Sequence, residues 1–531
     1  MKFLRQLFSF GSSSVSHASV LLAITALLSN LLGLGRNILF YRLIPPDQLD
    51  IYYASFRISD FIFNLLIFGA ITSAFIPVIT ELITEHKEQE AHHVTNQLLS
   101  WATLFFLAIT VILAIAMPTL TRWVVPGFEA DRFNLTVQLS RLMLLQTIFF
   151  SWSFIIGGLL NGYQRFSSYA LAPLIYNLSI ILGGVLAARY GIITITYAVI
   201  AGSLLHFLIQ FREAYLLGFR PRILLVFSQK IKEILSLMIP RSLSQGGSQI
   251  VLIVYTSLAS TLQVGSIAVF TGINDLQTTP IVIIANSLAI ASFPAITRFA
   301  SKQQAEELNS LLLKLIRSAL FLLIPIIILG YILRTQVIQL YFGAGGASWE
   351  LTSLAVQTFA WFLIGIIPAS LVAILARVFY AFKDTRTPMI INLSSAVLAI
   401  LVGYLGIRYF LPNVSTLALA EALVAIFQAS AYIIILYLRG ILTMKPAQLL
   451  QHSLNYLTGA LLAGLLSYAS LSGITFLYRF FPFLDNNQII ALLLQSGVAA
   501  LIGLGVYYGY SHLRSKEELQ WVQKRSFIRE T

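Results

Sequence analysis

Residues 29–64 carry Arg36, Arg42, Asp47, Asp50, Arg57 and Asp60 between strongly apolar runs. The chain as a whole is 58% hydrophobic and only 10% charged. Ionisable groups among apolar segments are costly at membrane depth, so they usually face a bundle interior or a wet cavity and mark a pathway. This stretch is therefore expected to line a polar cavity in a membrane transporter. Gly33 and Gly35 precede Arg36, and glycine permits a bend or break in the helix and close approach to its backbone. Asp50, Arg57 and Asn64 recur every seven residues, which places them near one helical face, with Asp60 on the same side. An Arg57–Asp60 pair would be either a fixed structural ion pair or one that forms and breaks during transport.

A second polar group stands further along. Asn274, Asp275, Gln277 and Thr278 precede Pro280 in an otherwise apolar helix. Arg241, Ser242, Ser244, Gln245, Ser248 and Gln249 give the helix at 233–261 a polar start, and Gly246-Gly247 is expected to interrupt it. These residues suit either a cavity lining or a hydrogen-bonded seam between helices.

The elements that must position these side chains are membrane helices. Mean hydropathy is +0.84 over 531 residues, and apolar runs long enough to span a bilayer, about 20 residues each, recur from end to end. The expected spans are 18–43, 51–80, 96–122, 135–160, 168–188, 192–217, 233–261, 266–297, 309–340, 351–381, 387–409, 415–438, 452–478 and 488–511. The alternating segments of a β-barrel are not seen. The basic N-terminus is read as leading into a retained first helix. The net charge of +13 could suggest nucleic acid, but the positive-inside rule explains it better. Lys and Arg concentrate in alternate connections and the tails, at Lys87, Arg212, Arg220, Lys230, Lys302, Lys383, Arg386, Lys445 and Arg514. Both termini are thus expected in the cytoplasm.

The function classes excluded are as informative. With no cysteine, thiolate chemistry and disulfides are impossible. No nucleotide-binding loop, pair of catalytic acids or triad is present, so no enzymatic or ATP-driven role and no cofactor are expected. His86, His92 and His93, among four glutamates at 81–90, read as a solvated helix end and not a metal site.

The chain also repeats itself. AFIPVIT at 74–80 matches SFPAIT at 292–297, and APLIYNLS at 172–179 matches TPMIINLS at 387–394. The matches set Pro77 opposite Pro294, Pro173 opposite Pro388 and Asn177 opposite Asn392. The offset covers six helices, which keeps membrane orientation, so the expectation is two parallel six-helix halves, 1–217 and 218–440, with two additional helices and a tail at 441–531. Transporters built this way bind substrate between the halves and alternate access by rocking.

The segments SNLLGLGRNILFYRL at 29–43, GAITSAFIPVITEL at 69–82, LNGYQRFSSYALAPLIYNLS at 160–179 and FYAFKDTRTPMIINL at 379–393 resemble the lipid II flippase family, a branch of the multidrug, oligosaccharidyl-lipid and polysaccharide exporters. The resemblance runs along essentially the whole chain and is most specific at 379–388. It implies an all-α integral membrane protein of about fourteen helices in the bacterial inner membrane. It also implies transfer of an undecaprenyl-pyrophosphate-linked precursor of peptidoglycan from inner to outer leaflet, by a monomer driven by the membrane potential or a coupling ion. The prenyl tail would stay in the bilayer, in a groove made by the last two helices. Arg36 matches the family's cavity arginine, thought to help hold the pyrophosphate, and Asp50 matches an acid at the start of the second helix. The expected cavity residues are Arg36, Asn37, Asp50, Arg57, Asp60, Asn64, Arg241, Asn274 and Asp275. The sequence departs from the family where Phe63, Asn64 and Phe68 replace two arginines and a glutamate, where Asn274 and Asp275 replace an Asp-Arg pair, and at Asn30, where an arginine is expected. These losses leave open another prenyl-linked glycan or an amphipathic drug as cargo, or a scaffold that no longer transports.

Overall fold

The computed structural model describes residues 15–68, 75–342, 348–443, 446–478 and 488–523. These residues form helices joined by short turns. In order, α1 is Val15–Leu43, α2 Pro46–Ile62, α3 Ile76–Thr84, α4 Glu88–Val124, α5 Ala130–Gly162, α6 Ser167–Tyr190, α7 Ile193–Leu216, α8 Gln229–Ser260 and α9 Ser266–Pro280. Then follow α10 Ser287–Ser301, α11 Ala305–Ile332, α12 Arg334–Phe342, α13 Trp349–Ala381, α14 Arg386–Leu405, α15 Ser415–Leu438, α16 Pro446–Tyr478, α17 Gln488–Arg514 and α18 Lys516–Gln523.

Among the described residues, eleven helical segments are long and apolar enough to cross a membrane. The other three expected spans fall on α1, on α2 with α3, and on α8, whose apolar part is the shorter stretch Gly246–Ser260. Large apolar side chains stand outward along many helices, such as Ile115, Leu216, Val397 and Leu501, each at least 68% exposed. Exposure on that scale is not tolerated in water; in hydrocarbon it costs nothing.

The chain forms two compact units, Met1–Ala268 and Val269–Thr531, divided near the start of α9. In the first unit α5 is the central helix, with 72% of its span buried against 17% for α4. Its apolar core gathers Ile62, Phe75, Ile79, Ile155, Ile156 and Leu159. Close approach relies on small residues: a side chain at Gly184 of α6 would collide with the ring of Phe40 on α1, and one at Gly183 with Ala198 on α7. Van der Waals contact between such small-residue faces drives helix association where lipid removes the hydrophobic incentive. In the second unit α13 packs along α15, and α16 against α17 and α11. Arg317 of α11 pairs with Glu518 of α18, which also accepts a hydrogen bond from Tyr456 at 2.6 Å.

Some backbone features recur at offsets near that of the sequence matches. Two π-helical turns, Phe63–Phe68 after α2 and Ile281–Asn286 after α9, occupy matching places. The second begins directly after Pro280, which has no N–H to continue the α-helical ladder. Four non-glycine residues have positive φ, and they pair at the repeat offset: His86 (60°) with Gln303 (54°), and Gln164 (57°) with Lys383 (59°). Each closes a helix C-terminus in the left-handed conformation usual there. Gly218 and Gly440 form a third pair, at φ 90° and 69°.

Three local expectations are corrected. Gly33 and Gly35 do not break α1, and Gly246-Gly247 does not break α8; both helices run through. Glycine permits a break without requiring one, and packing keeps the ladder intact. Gly246 instead admits Leu65, whose Cδ1 lies 3.3 Å from where a Cβ would stand. The expected span 309–340 is split after Ile332, where Arg334 donates to the Tyr331 carbonyl at 2.6 Å and closes the helix end.

The turn with the most specific sequence, between α13 and α14, shows why those residues are needed. Asp384 accepts from the Thr387 amide at 3.0 Å and its hydroxyl at 2.7 Å, and pairs with Arg439 at 2.8 Å. Arg439 also lies over the ring of buried Phe379, 5.2 Å from its centre. Partial burial opposes ionisation of Asp384, but the hydrogen bonds from Thr387 and Arg439 outweigh it and hold the carboxyl down at about 2. A depressed carboxylate contributes stability above its ordinary range and loses it as pH falls through the folded value. Asp384→Asn should therefore lower the thermal midpoint by a margin that is constant near neutral pH and closes as pH falls from about 4 toward 2. Thermal unfolding of the two purified proteins across that range checks it; a margin independent of pH would show that the charge does not contribute.

Candidate functional site

Arg36 and Asp50 anchor two separate polar clusters of the first unit. In one, the Arg36 guanidinium is held by amide oxygens. Its Nε and Nη2 donate to Asn37 Oδ1 at 3.3 and 3.2 Å, and its Nη1 to Asn177 Oδ1 at 3.3 Å. Asn177 on α6 is fixed in turn, donating to Ser29 Oγ and to the Pro173 carbonyl, both at 3.1 Å. Asn37 is fully buried and Asn177 nearly so, while Arg36 is half-buried.

These bonds are long for a guanidinium, whose charge-assisted bonds to carboxylate or phosphate are about 2.7–2.9 Å. The amides position the fork. Gly33 and Gly35 lie one turn or less away, and a Cβ at either would meet nothing within 4 Å. The glycines thus leave room beside the arginine, which is a different service from the bend expected of them.

Around this cluster, Gln146 of α5 donates to Ser59 Oγ at 3.0 Å and accepts from the Tyr176 hydroxyl at 3.3 Å. Arg36 and Asp60 both act electrostatically on Tyr176 and on Tyr52. Helices α1, α2, α5 and α6 therefore converge on one polar patch. Asn64 follows α2 in the π-helical turn and donates to the Asp60 carbonyl at 2.9 Å. Arg57 turns elsewhere: it is buried and its Nε donates to Thr256 Oγ1 on α8 at 2.7 Å.

Asp50 is the hub of the second cluster. Its carboxylate is 2% exposed. It accepts from the Gly265 and Ala268 amides at 2.7 and 2.9 Å and from Arg132 Nη2 at 3.1 Å. Gly265, at φ 91°, aims its N–H inward in a conformation that favours glycine. The carboxylate thus sits on the N-terminus of α9, where free amides and the helix dipole favour negative charge. Arg132 stacks over Phe128 at 3.9 Å, and Tyr41 donates to the Ala268 carbonyl at 2.7 Å. The start of α2 is thereby tied to the α8–α9 turn and the start of α5.

In the second unit, Asn274 and Asp275 are half-buried on α9. Gln277 donates to Asn274 Oδ1 at 3.1 Å, and Thr278 and Thr279 donate to the Asn274 and Asp275 carbonyls at 2.7 and 3.0 Å. Arg241 falls on α8, and its side chain lies outside the described residues. Asn177, Ser29, Arg132 and Thr256 are the partners that sequence reasoning missed. Only Asn177 had a signal, its place in the repeat. Where the family carries a second-helix arginine, Phe63 packs its ring 5.1 Å from Phe150 and 5.4 Å from Phe154. That position is an aromatic core here.

Residues 47–486 match the family model described as lipid II flippase MurJ. A probable lipid II flippase MurJ of Rhizobium tropici is 26% identical over 503 residues, 90% of each chain. The lipid II flippase MurJ of Burkholderia cenocepacia is 27% identical over 521 residues, covering 92% of this chain and 97% of that protein. A solved lipid II flippase MurJ in an inward closed conformation shares the fold, with TM-score 0.76 and 21% identity over 94% of this chain and 100% of the other. An inward-facing multidrug transporter of the MATE family, in the MOP superfamily, gives 0.69 and 18% over 80% and 98%.

The Asp50 tie can be tested directly. Asp50→Asn removes the charge that Arg132 and the α9 amides share, and should cost roughly 1.5–3 kcal/mol, read as a lower thermal midpoint of the purified protein. An unchanged midpoint would remove the clasp from the account of the fold.

Proposed function

We propose, from the premise that this chain belongs to the lipid II flippase MurJ family, that it moves lipid II across the bacterial inner membrane by alternating access. It is a multi-pass membrane protein. The transfer runs from inner to outer leaflet, both termini lie in the cytoplasm, and the protein works as a monomer. A membrane potential or ion gradient supplies the driving force.

The observation that carries the reading is the state of Arg36. A cation at membrane depth is expensive and is retained where it has a task. Here Asn37 and Asn177 hold its guanidinium through hydrogen bonds of 3.2–3.3 Å, and open space adjoins it at Gly33 and Gly35. A pyrophosphate offers the same donors shorter, charge-assisted and bidentate bonds. The amides hold the fork in place, so little side-chain freedom is lost when the phosphate arrives. Asn37, Asp60 and Asn64 complete the patch. Asn274, Asp275 and Arg241 belong to the proposed cavity on the strength of their sequence positions. Arg57 and Asp50 enter as groups that change partners as access alternates, Arg57 holding α2 to α8 and Asp50 holding it to the α8–α9 turn.

A second reading, a different lipid-linked glycan or an amphipathic drug in the same kind of cavity, is favoured by Phe63. The aromatic packing there leaves one cation fewer than the family pattern requires, and fewer cations grip a pyrophosphate less tightly.

One genetic experiment decides between them. In a bacterial host depleted of its own lipid II flippase, expression of this chain should restore growth and lipid II exposure at the outer leaflet. Arg36→Ala, at equal membrane abundance, should lower that exposure roughly 10- to 100-fold, the worth of one or two charge-assisted bonds. Failure of the wild-type chain in a host where a related flippase succeeds counts against lipid II and for the second reading.

A further inference from the structure

α4 contains Pro118, which has no N–H, so the Ala114 carbonyl one turn earlier loses its partner in the helix. Arg141 of α5 supplies the replacement, donating Nε to Ala114 O at 2.8 Å. That bond uses one of five guanidinium donors. The others turn toward a groove of about 470 Å³ lined by Pro118, Phe133, Asn134, Gln138, Arg141 and Tyr197, among others.

Asn134, Gln138 and Arg141 are spaced along one exposed face of α5, and Tyr197 of α7 is 54% exposed. Among the described residues, Asn134, Gln138 and Tyr197 have no hydrogen-bond partner, and Arg141 has none besides Ala114. Among the described residues, no acidic side chain lines the groove. Arg122 adds a second cation at its rim, 5.7 Å from the centre of the Phe133 ring. Arg141 lies roughly 16 Å along α5 from its start, so the groove opens sideways within the leaflet on the side of the α4–α5 turn. Polar groups at that depth must be satisfied by something other than bulk water.

We infer that this groove is a binding site for the phosphodiester headgroup of an anionic glycerophospholipid. The guanidinium of Arg141 donates to the phosphate oxygens, and Asn134, Gln138 and Tyr197 hydrogen-bond the phosphate or the polar alcohol beyond it. A second copy of the chain fits poorly, since a symmetric contact would set Arg141 near its own counterpart.

The test uses the full-length protein, delipidated in detergent and titrated with phosphatidylglycerol under native mass spectrometry, with inorganic phosphate as competitor. Arg141→Gln should bind phosphatidylglycerol roughly tenfold more weakly, the loss of a charge-assisted bond. The double variant Asn134→Leu/Gln138→Leu leaves the Arg141–Ala114 bond intact and should bind severalfold more weakly with an unchanged thermal midpoint. Equal lipid retention in all three proteins overturns the proposal. A loss confined to Arg141→Gln and accompanied by a lower midpoint also overturns it, because Arg141 is then only a strut for the α4 kink. Displacement of the lipid by millimolar inorganic phosphate assigns the site to the free ion, and a dimer that disappears with Arg141→Gln assigns it to a second copy; either result refutes the lipid assignment.

Discussion

The bilayer core offers no water, so every polar group in the chain must find its partner inside the protein or in a ligand. That constraint sorts the charged residues of the first unit. Asp50 is satisfied by two backbone amides and Arg132. Arg57 is buried against Thr256. Arg36 is oriented by the amide oxygens of Asn37 and Asn177.

The same constraint explains how the helices hold the patch. Lipid tails are as apolar as leucine, so helices gain little from hiding apolar faces and must gain from closeness. Gly183 and Gly184 allow α6 to approach α7 and α1, and it is α6 that delivers Asn177 to Arg36. Substrate chemistry and small-residue packing are thus coupled through one helix. The capped turns serve the same end. His86, Gln164, Gln303 and Lys383 stop helices in the same left-handed conformation, setting where each helix ends.

Much of this was legible in the sequence. Hydropathy identified the membrane helices, and two π-helical segments and paired turns stand at offsets near that of the sequence matches. Arg36 stood out because charge in an apolar run is costly. The partners were harder to see. Thr256 is one threonine in an apolar helix, and only the folded chain shows that Arg57 faces it. Arg132 lies just before the expected span 135–160, yet it pairs with Asp50 across 82 residues of sequence. Gly33 and Gly35 were noticed for the wrong reason, since a helix can keep its ladder through glycine when its surroundings support it. Arg141 lies inside the expected span 135–160, and its role depends on a proline in the neighbouring helix.

The central claim is that Arg36, poised by Asn37 and Asn177, takes the phosphate of a lipid-linked substrate during transfer. The most direct measurement is leaflet transfer in proteoliposomes. The purified chain is reconstituted with fluorescent lipid II, and inner-to-outer movement is followed by an impermeant quencher. The account predicts transfer by the wild-type chain, loss with Arg36→Ala, and partial retention with Arg36→Lys, which keeps the charge but not the planar fork. Equal transfer by wild-type and Arg36→Ala proteins, at matched reconstitution, would contradict it.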